Sequence, residues 1–146
     1  MAKSKNKQAV YNFDTIVIGS GPAGSTAAEV LASSGQKVAI VEAAEFGGEC
    51  LNYGCVPTKS MLTTAHLYIA LKNQKAITNS GIVKLRISKL AAFAENNISK
   101  TGAHQLAEEL AKSGITTLKG RAYLINSGVV DVKGQSYSAR NIILAG

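Results

Sequence analysis

The apolar positions at the start of the chain form two short runs separated by a helical pattern. Phe13 to Ser20 (FDTIVIGS) is a compact hydrophobic run ending in glycine, the mark of a buried strand. Pro22 to Ser34 carries apolar residues at helical spacing, which predicts one face built from Ala23, Ala27, Val30 and Leu31, with Gly35 as C-cap. Lys37 to Glu42 (KVAIVE) is a second strand. Strand, helix and strand in about 30 residues predict the βαβ unit of a parallel, doubly wound sheet.

Further along, an irregular segment bearing two cysteines follows Gly47–Gly48. Pro57 stands where a helix can begin, since its missing N–H is not needed in the first turn. Met61, Leu62, Ala65, Leu67, Tyr68, Ile69 and Leu71 carry that helix to about Asn73, and Asn79 to Ile82 reads as a loop. Ser88 is a candidate cap for one long helix to about Ser113, with Leu90, Phe93, Ile98, Leu106 and Leu110 on its buried side. Gly102 weakens its middle and Gly114 closes it.

The last third is β-rich. Ile115 to Leu118, Ala122 to Ile125, Val129 to Lys133, Gln135 to Ala139 and Ile142 to Leu144 are five short runs. The middle three predict a small antiparallel meander, and the last a return to the central sheet. The fold class expected is α/β: a Rossmann-like parallel sheet with inserted long helices and a small antiparallel β-meander.

With 146 residues, 46% hydrophobic and 17% charged, the chain has an ordinary globular balance. No apolar run reaches the roughly 18 residues of a membrane span, and Met1 to Asn12 has lysines with no apolar stretch behind them. Those twelve residues read as a basic, disordered tail on a cytoplasmic protein. The net charge of +7 is spread over scattered lysines without interleaved aromatics, which argues against a nucleic-acid stripe. A basic module also suits an anionic cofactor. Two cysteines make no disulfide framework, and His66 and His104 lie far from them, so no metal site is expected.

Gly19-Ser20-Gly21-Pro22-Ala23-Gly24 fits G-x-G-x-x-G directly between the first strand and its helix, the context that gives the pattern meaning. Gly19 allows the tight turn, Gly21 lets a pyrophosphate reach the backbone, and Gly24 lets helix and strand approach. The helix start offers free N–H groups and partial positive charge. Glu42, followed by Ala43, ends the second strand 18 residues after Gly24, where an acid accepts hydrogen bonds from a ribose. The acid argues against a 2′-phosphate and for FAD or NAD.

The segment from Gly47 to Lys59, GGECLNYGCVPTK, is the more specific signal. Residues at i and i+5 lie roughly 8–9 Å apart in a regular helix, whereas a disulfide needs less than about 7 Å between Cα atoms. If Cys50 and Cys55 are bridged, the first turn must be distorted, with Gly54 able to supply unusual backbone angles. A helix start would favour a thiolate, and Lys59 adds positive charge.

These two motifs together resemble the N-terminal, FAD-binding part of the class I pyridine nucleotide-disulfide oxidoreductases, a family that includes dihydrolipoamide dehydrogenase, glutathione reductase and mercuric reductase. The pattern G-G-x-C-x-x-x-x-G-C-x-P-x-K is met by Gly47, Gly48, Cys50, Gly54, Cys55, Pro57 and Lys59. The likeness runs from Phe13 to Gly146 and is strongest from Phe13 to Leu62. It implies a redox-active disulfide in which Cys50 is the interchange thiol and Cys55 the thiol beside the flavin, with Lys59 near the reactive flavin edge. It implies that Glu42 holds the adenosine ribose and that Gly120 and Ala122 meet the adenine through a G-x-A segment. Ala145 and Gly146 would then lie near the flavin phosphates.

Two residues depart from the family pattern. Glu49 stands where threonine is commoner, beside Cys50 and the expected pyrophosphate. Gly146 stands where A-T-G has its threonine. The resemblance further implies NAD(P)H as co-substrate, a homodimer, and a dithiol or disulfide substrate, most like dihydrolipoamide dehydrogenase. A mercuric reductase-like metal-ion substrate is the alternative. The NAD(P) domain and the C-terminal His–Glu pair of the family are not in these 146 residues, and neither His66 nor His104 matches that pair. Both histidines are expected at the surface. The chain is therefore read as residues 13–146 of an FAD-binding domain from a longer enzyme, or a truncated module with no turnover alone.

Overall fold

The computed structural model describes residues 11–73 and 84–146, with the backbone alone at 99–101, 103 and 104. Of the expected basic tail over residues 1–12, residues 1–10 lie outside what is described, as do the loop over 79–82 and the exposure of His104. Asn12 is tied to Ser138, its N–H donating to the Ser138 hydroxyl at 3.1 Å and its Oδ1 accepting from Ser138 N–H at 2.8 Å.

A six-stranded sheet organises the chain, in the order β3-β2-β1-β6-β5-β4. Its strands are β1 (Phe13–Ile18), β2 (Val38–Glu42), β3 (Thr116–Lys119), β4 (Ala122–Asn126), β5 (Val129–Val132) and β6 (Gln135–Leu144). β1 lies parallel to β2 and β6, and β2 parallel to β3. The β4–β5 and β5–β6 pairs are antiparallel. The expected Rossmann-like sheet with a β-meander is thus present.

The parallel strands read as continuous apolar runs because both of their faces are covered. Along β2, Ala39 and Val41 join Phe13, Ile16, Val130, Val132 and Ala139 on one side of the sheet. Val38 and Ile40 point the other way, into a cluster with Val17, Ala28, Phe46, Leu110 and Ile115. This two-residue period is the pleat of the strand.

Helix α1 (Pro22–Ser33) turns a different face to the sheet from the one its apolarity predicts. Gly24 and Ala28 are buried and Leu31 and Ala32 pack beside them, whereas Val30 is 62% exposed. Close approach decides the face here: a Cβ on Gly24 would collide with the Gly19 carbonyl, so the small residues must lie inward.

The two predicted runs Gln135 to Ala139 and Ile142 to Leu144 are one strand. β6 pairs with β5 over its first half, Gln135 to Ser138, then with β1 from Ala139 to Leu144. The polar residues Arg140 and Asn141 do not interrupt it. Arg140 lies 3.9 Å from the Asp14 carboxylate, and the Asn141 amide donates to the Asp14 carbonyl at 3.4 Å.

The long predicted helix is two helices, α4 (Ile87–Thr101) and α5 (Ala103–Lys112). Gly102 has extended backbone (ψ −167°), so it ends one helix and caps the next. Ser88 is not the cap: the Arg86 carbonyl accepts from the N–H groups of Lys89 and Leu90. Phe93 is 47% exposed, and Ala94 is buried instead. Helix α3 (Cys55–Asn73) begins two residues before Pro57, with Thr58 N–H donating to the Gly54 carbonyl. Pro57 still falls among the first residues, whose N–H groups need no helical partner.

Candidate functional site

The carboxyl ends of β1, β2 and β6 open onto one cavity of about 530 Å³. Clefts at the carboxyl ends of parallel strands are where doubly wound folds bind ligands. The floor is held by cross-strand bonds. Gly19 N–H donates to the Val41 carbonyl at 2.8 Å, Ala145 N–H to Ile18 at 2.7 Å, and Gly120 N–H to Glu42 at 2.8 Å.

The first wall is the glycine turn. Gly19 has φ +101°, and a Cβ there would meet the Ala145 carbonyl at 2.6 Å. Gly21 is the N-cap of α1 and has no side-chain cap. A Cβ there would meet nothing within 4 Å, so this backbone faces open space. The first turn of α1 contains no acidic residue of its own to offset its partial positive charge.

The second wall is the end of β2. Glu42 is 9% exposed and borders the cavity. Its Oε2 accepts from Ser20 N–H at 2.9 Å and from the Ser20 hydroxyl at 2.7 Å, and its Oε1 accepts from Ala44 N–H at 2.8 Å. Burial pushes the Glu42 carboxyl up. The bonds from the Ser20 hydroxyl and from the backbone of Ala44, Ser20 and Ala43 outweigh that and hold it below the ordinary carboxylate value. Glu42 is therefore a carboxylate, built in advance of any ligand.

The third wall carries the cysteines. Short helix α2 (Gly48–Asn52) holds Glu49 and Cys50, both at the cavity edge. Asn52 is buried and its amide donates to the carbonyls of Phe46 and Gly48, at 3.0 and 2.9 Å, fastening α2 to the loop before it. Tyr53 (φ −130°) ends α2, and α3 starts at Cys55. This break brings the two cysteines to 4.8 Å between Cα atoms, and they are joined by a disulfide. Gly54 contributes by closeness, not by a left-handed angle: a Cβ there would lie 3.1 Å from the Glu49 carbonyl and 3.5 Å from Cys50 Cα.

Of the residues singled out by sequence, Gly19, Gly21, Pro22, Glu42, Ala43 and Gly48 border the cavity. So do Glu49, Cys50, Gly120, Ala122, Ala145 and Gly146. Five others support it or lie outside it. Gly24 is buried on α1, and Ala23 lines an apolar groove that runs along that helix to Ile143. Gly47 (φ +93°) precedes α2 and donates its N–H to the Ser20 hydroxyl at 3.0 Å. Cys55 and Lys59 lie exposed, one turn apart on α3 and off the cavity wall. His66 is exposed, as expected.

Sequence reasoning passed over Ser20, Ala44, Glu45 and Tyr53, which also border the cavity. Ser20 was the detectable one: a polar residue between two required glycines, where the strand predicts burial. Lys119, at the end of β3, was also passed over. It donates to the Ala44 carbonyl, lies 3.5 Å from Glu45 and sits 5.8 Å over the Phe46 ring.

The strand order, the glycine turn and the disulfide define a Rossmann-like module of the redox-disulfide class. The chain belongs to the pyridine nucleotide-disulphide oxidoreductase family, whose model matches residues 13–146. It is 38% identical over 142 residues to a dihydrolipoyl dehydrogenase of Staphylococcus aureus, and 38% identical over 134 residues to one of Thermus scotoductus. These matches cover 90% and 91% of this chain but only 29% of each relative. Among solved structures it is similar to RclA of Escherichia coli, described as an HOCl-induced flavoprotein disulfide reductase. That match has a TM-score of 0.72 at 25% identity, over 90% of this chain and 27% of RclA. Among the described residues, no helix is long and apolar enough to cross a membrane.

Proposed function

We propose that the chain is the FAD-binding module of a flavin-dependent disulfide oxidoreductase, with Cys50–Cys55 as its redox-active pair. The observation that supports this reading best is that a single cavity is bordered by the glycine turn, the Glu42 carboxylate and Cys50. The residues suit an anionic dinucleotide. The bare start of α1 would hold the pyrophosphate with its N–H groups. Glu42, with Ala43 beside it, would take the adenosine ribose, and Gly120 and Ala122 the adenine. Gly48, Ala145 and Gly146, which border the same cavity, would lie nearer the flavin phosphates. Bound FAD would supply the two-electron chemistry that links a nicotinamide to the disulfide.

The chain's own residues then perform thiol–disulfide exchange. A substrate thiolate attacks the Cys50 sulfur, the Cys50–Cys55 bond breaks, and Cys55 leaves as a thiolate. The second substrate thiol loses its proton and displaces Cys50 from the mixed disulfide. The substrate is then oxidised and the pair holds its two electrons. The partial positive charge at the start of α3 favours Cys55 as the thiolate, and Lys59 stands one turn further on. A dihydrolipoyl-type dithiol is the substrate class that the curated relatives favour. The same reading takes the NAD(P)H/NAD(P)+ couple as hydride partner, NAD(P)+ accepting when a dithiol is oxidised and NAD(P)H donating in reverse, with a homodimer as assembly and a cytoplasmic setting.

Titrating the protein with FAD tests the proposal. Quenched flavin fluorescence and co-elution of flavin with the protein are expected, both lost in Gly21→Asp. Equal retention of flavin by that variant would refute the assigned site.

A further inference from the structure

The structure assigns Ser20 a positioning role: it fixes the rotamer of Glu42 through Oε2 and leaves Oε1 as the oxygen offered to a ribose hydroxyl. This inference rests on the reading of Glu42 as the ribose acid.

The chain of bonds has one direction, set by chemistry. Gly47 N–H can only donate, so the Ser20 oxygen accepts it at 3.0 Å. The Glu42 carboxylate can only accept, so the Ser20 hydroxyl hydrogen must point to Oε2 at 2.7 Å. Ser20 N–H donates to the same oxygen at 2.9 Å. Oε2 therefore holds two bonds from one residue and has no lone pair left for a ligand. Oε1 carries the bond from Ala44 and keeps room for another donor.

Burial makes the arrangement firm. Ser20 is 0% exposed, so water does not replace its hydroxyl. Lys119, at the neighbouring strand end, pairs with Glu45 and donates to the Ala44 carbonyl, so the nearby charged groups engage each other, not Glu42. No other side chain bonds to Glu42 among the described residues. Ser20 also joins two parts of the site, because Gly47 begins the turn into the helix that carries Cys50. An alanine in its place would leave Gly47 N–H without its acceptor and Glu42 held only by the backbone N–H groups of residues 20 and 44.

The test is a double-mutant cycle on the full chain, read as affinity for FAD, ADP and inorganic pyrophosphate. Ser20→Ala and Ser20→Gly should each weaken FAD and ADP roughly tenfold or more, as expected for a lost bond to a charged group, with pyrophosphate unchanged. Glycine adds no bulk, so it guards against a misfolded alanine variant, and thermal melting checks both. In a Glu42→Ala background the Ser20 substitutions should add nothing, because Ser20 acts through Glu42. A Ser20 effect that persists in that background, or that extends to pyrophosphate, would place the role in the turn and overturn the inference. Unchanged ADP affinity in Ser20→Ala, with a loss in Glu42→Ala, would overturn it while leaving the ribose acid intact. Unchanged affinity in Glu42→Ala would instead remove the ribose assignment itself, and this inference with it.

Discussion

The strand ends that carry the glycine turn and the helices that carry the cysteines are built on opposite principles. Around the turn, β1 and β2 are buried on both faces: Ile16, Val17, Ala39 and Ile40 are each fully enclosed. Helix α3 has no buried residue along its 19 positions, and Leu62, Leu67 and Ile69 stand about half exposed. The nucleotide side is thus preorganised by the core, which holds backbone donors and the Glu42 carboxylate in place without a ligand. The cysteine side depends on local devices, namely the Asn52 amide bonds, the break at Tyr53 and the disulfide. A dinucleotide cradle needs fixed backbone geometry, whereas a thiol pair that opens and closes needs neighbours that tolerate a change of bonding.

The strongest way to break this comparison is to disturb the buried half. Ile40→Ala should cost about 2–5 kcal/mol of folding stability, measured by urea denaturation. Gly24→Ala should cost about 1–3 kcal/mol, because the added methyl meets the Gly19 carbonyl and the helix must lift from the sheet. If either proves neutral, the cradle is not held by the core as described.

Much of this half was legible in sequence because its physics is local and repetitive. The β1–α1–β2 unit follows from two apolar runs and a glycine turn, and its predicted limits agree with the structure to within about two residues. What escaped was set by partners distant in sequence. Arg140 and Asn141 look like a strand break until Asp14 of β1 supplies their contacts. Val30 is a better core residue than Ala28 by apolarity, but only small side chains fit where α1 meets the strand ends. The Ser20–Glu42 bond spans 22 residues and leaves no periodic trace. The disulfide lay between these extremes. Its two cysteines were plain, but the 4.8 Å approach depends on a helix break that the sequence marked only by Gly54.

The cysteine half can be sharpened by titration. After reduction with dithiothreitol, the rate of iodoacetamide alkylation at each cysteine should rise with pH through its own pKa. Cys55 should have the lower of the two, since it opens a long helix while Cys50 lies beside Glu49 on a five-residue one. A single shared value, or the reverse order, would count against Cys55 as the leaving thiolate.

A smaller effect is expected from acid. Glu42 is held below its ordinary carboxylate value of 4.5, so its ionised form stabilises the folded chain. That contribution is complete above about pH 4.5 and is lost as the pH falls through the folded value. Glu42→Gln should therefore lose stability at neutral pH and show a shallower fall in melting temperature across that acid window. An identical acid slope in the variant would mean that the Ser20 and Ala44 bonds do not favour the charged form.

The smallest effect belongs to the exposed helix. Leu67 is 60% exposed on α3, so Leu67→Ser removes little apolar burial and should change stability by less than about 0.5 kcal/mol. The same polar swap at Ile40 would be ruinous, although both positions hold large aliphatic residues in regular structure. The contrast therefore tests location alone. If Leu67→Ser instead costs about 1 kcal/mol or more in dilute, monomeric protein, α3 must be packed in solution. The cysteine half would then share the buried support of the nucleotide half. If the cost appears only as protein concentration rises, the exposed leucines contact a second copy, and the loss should grow with concentration by mass action.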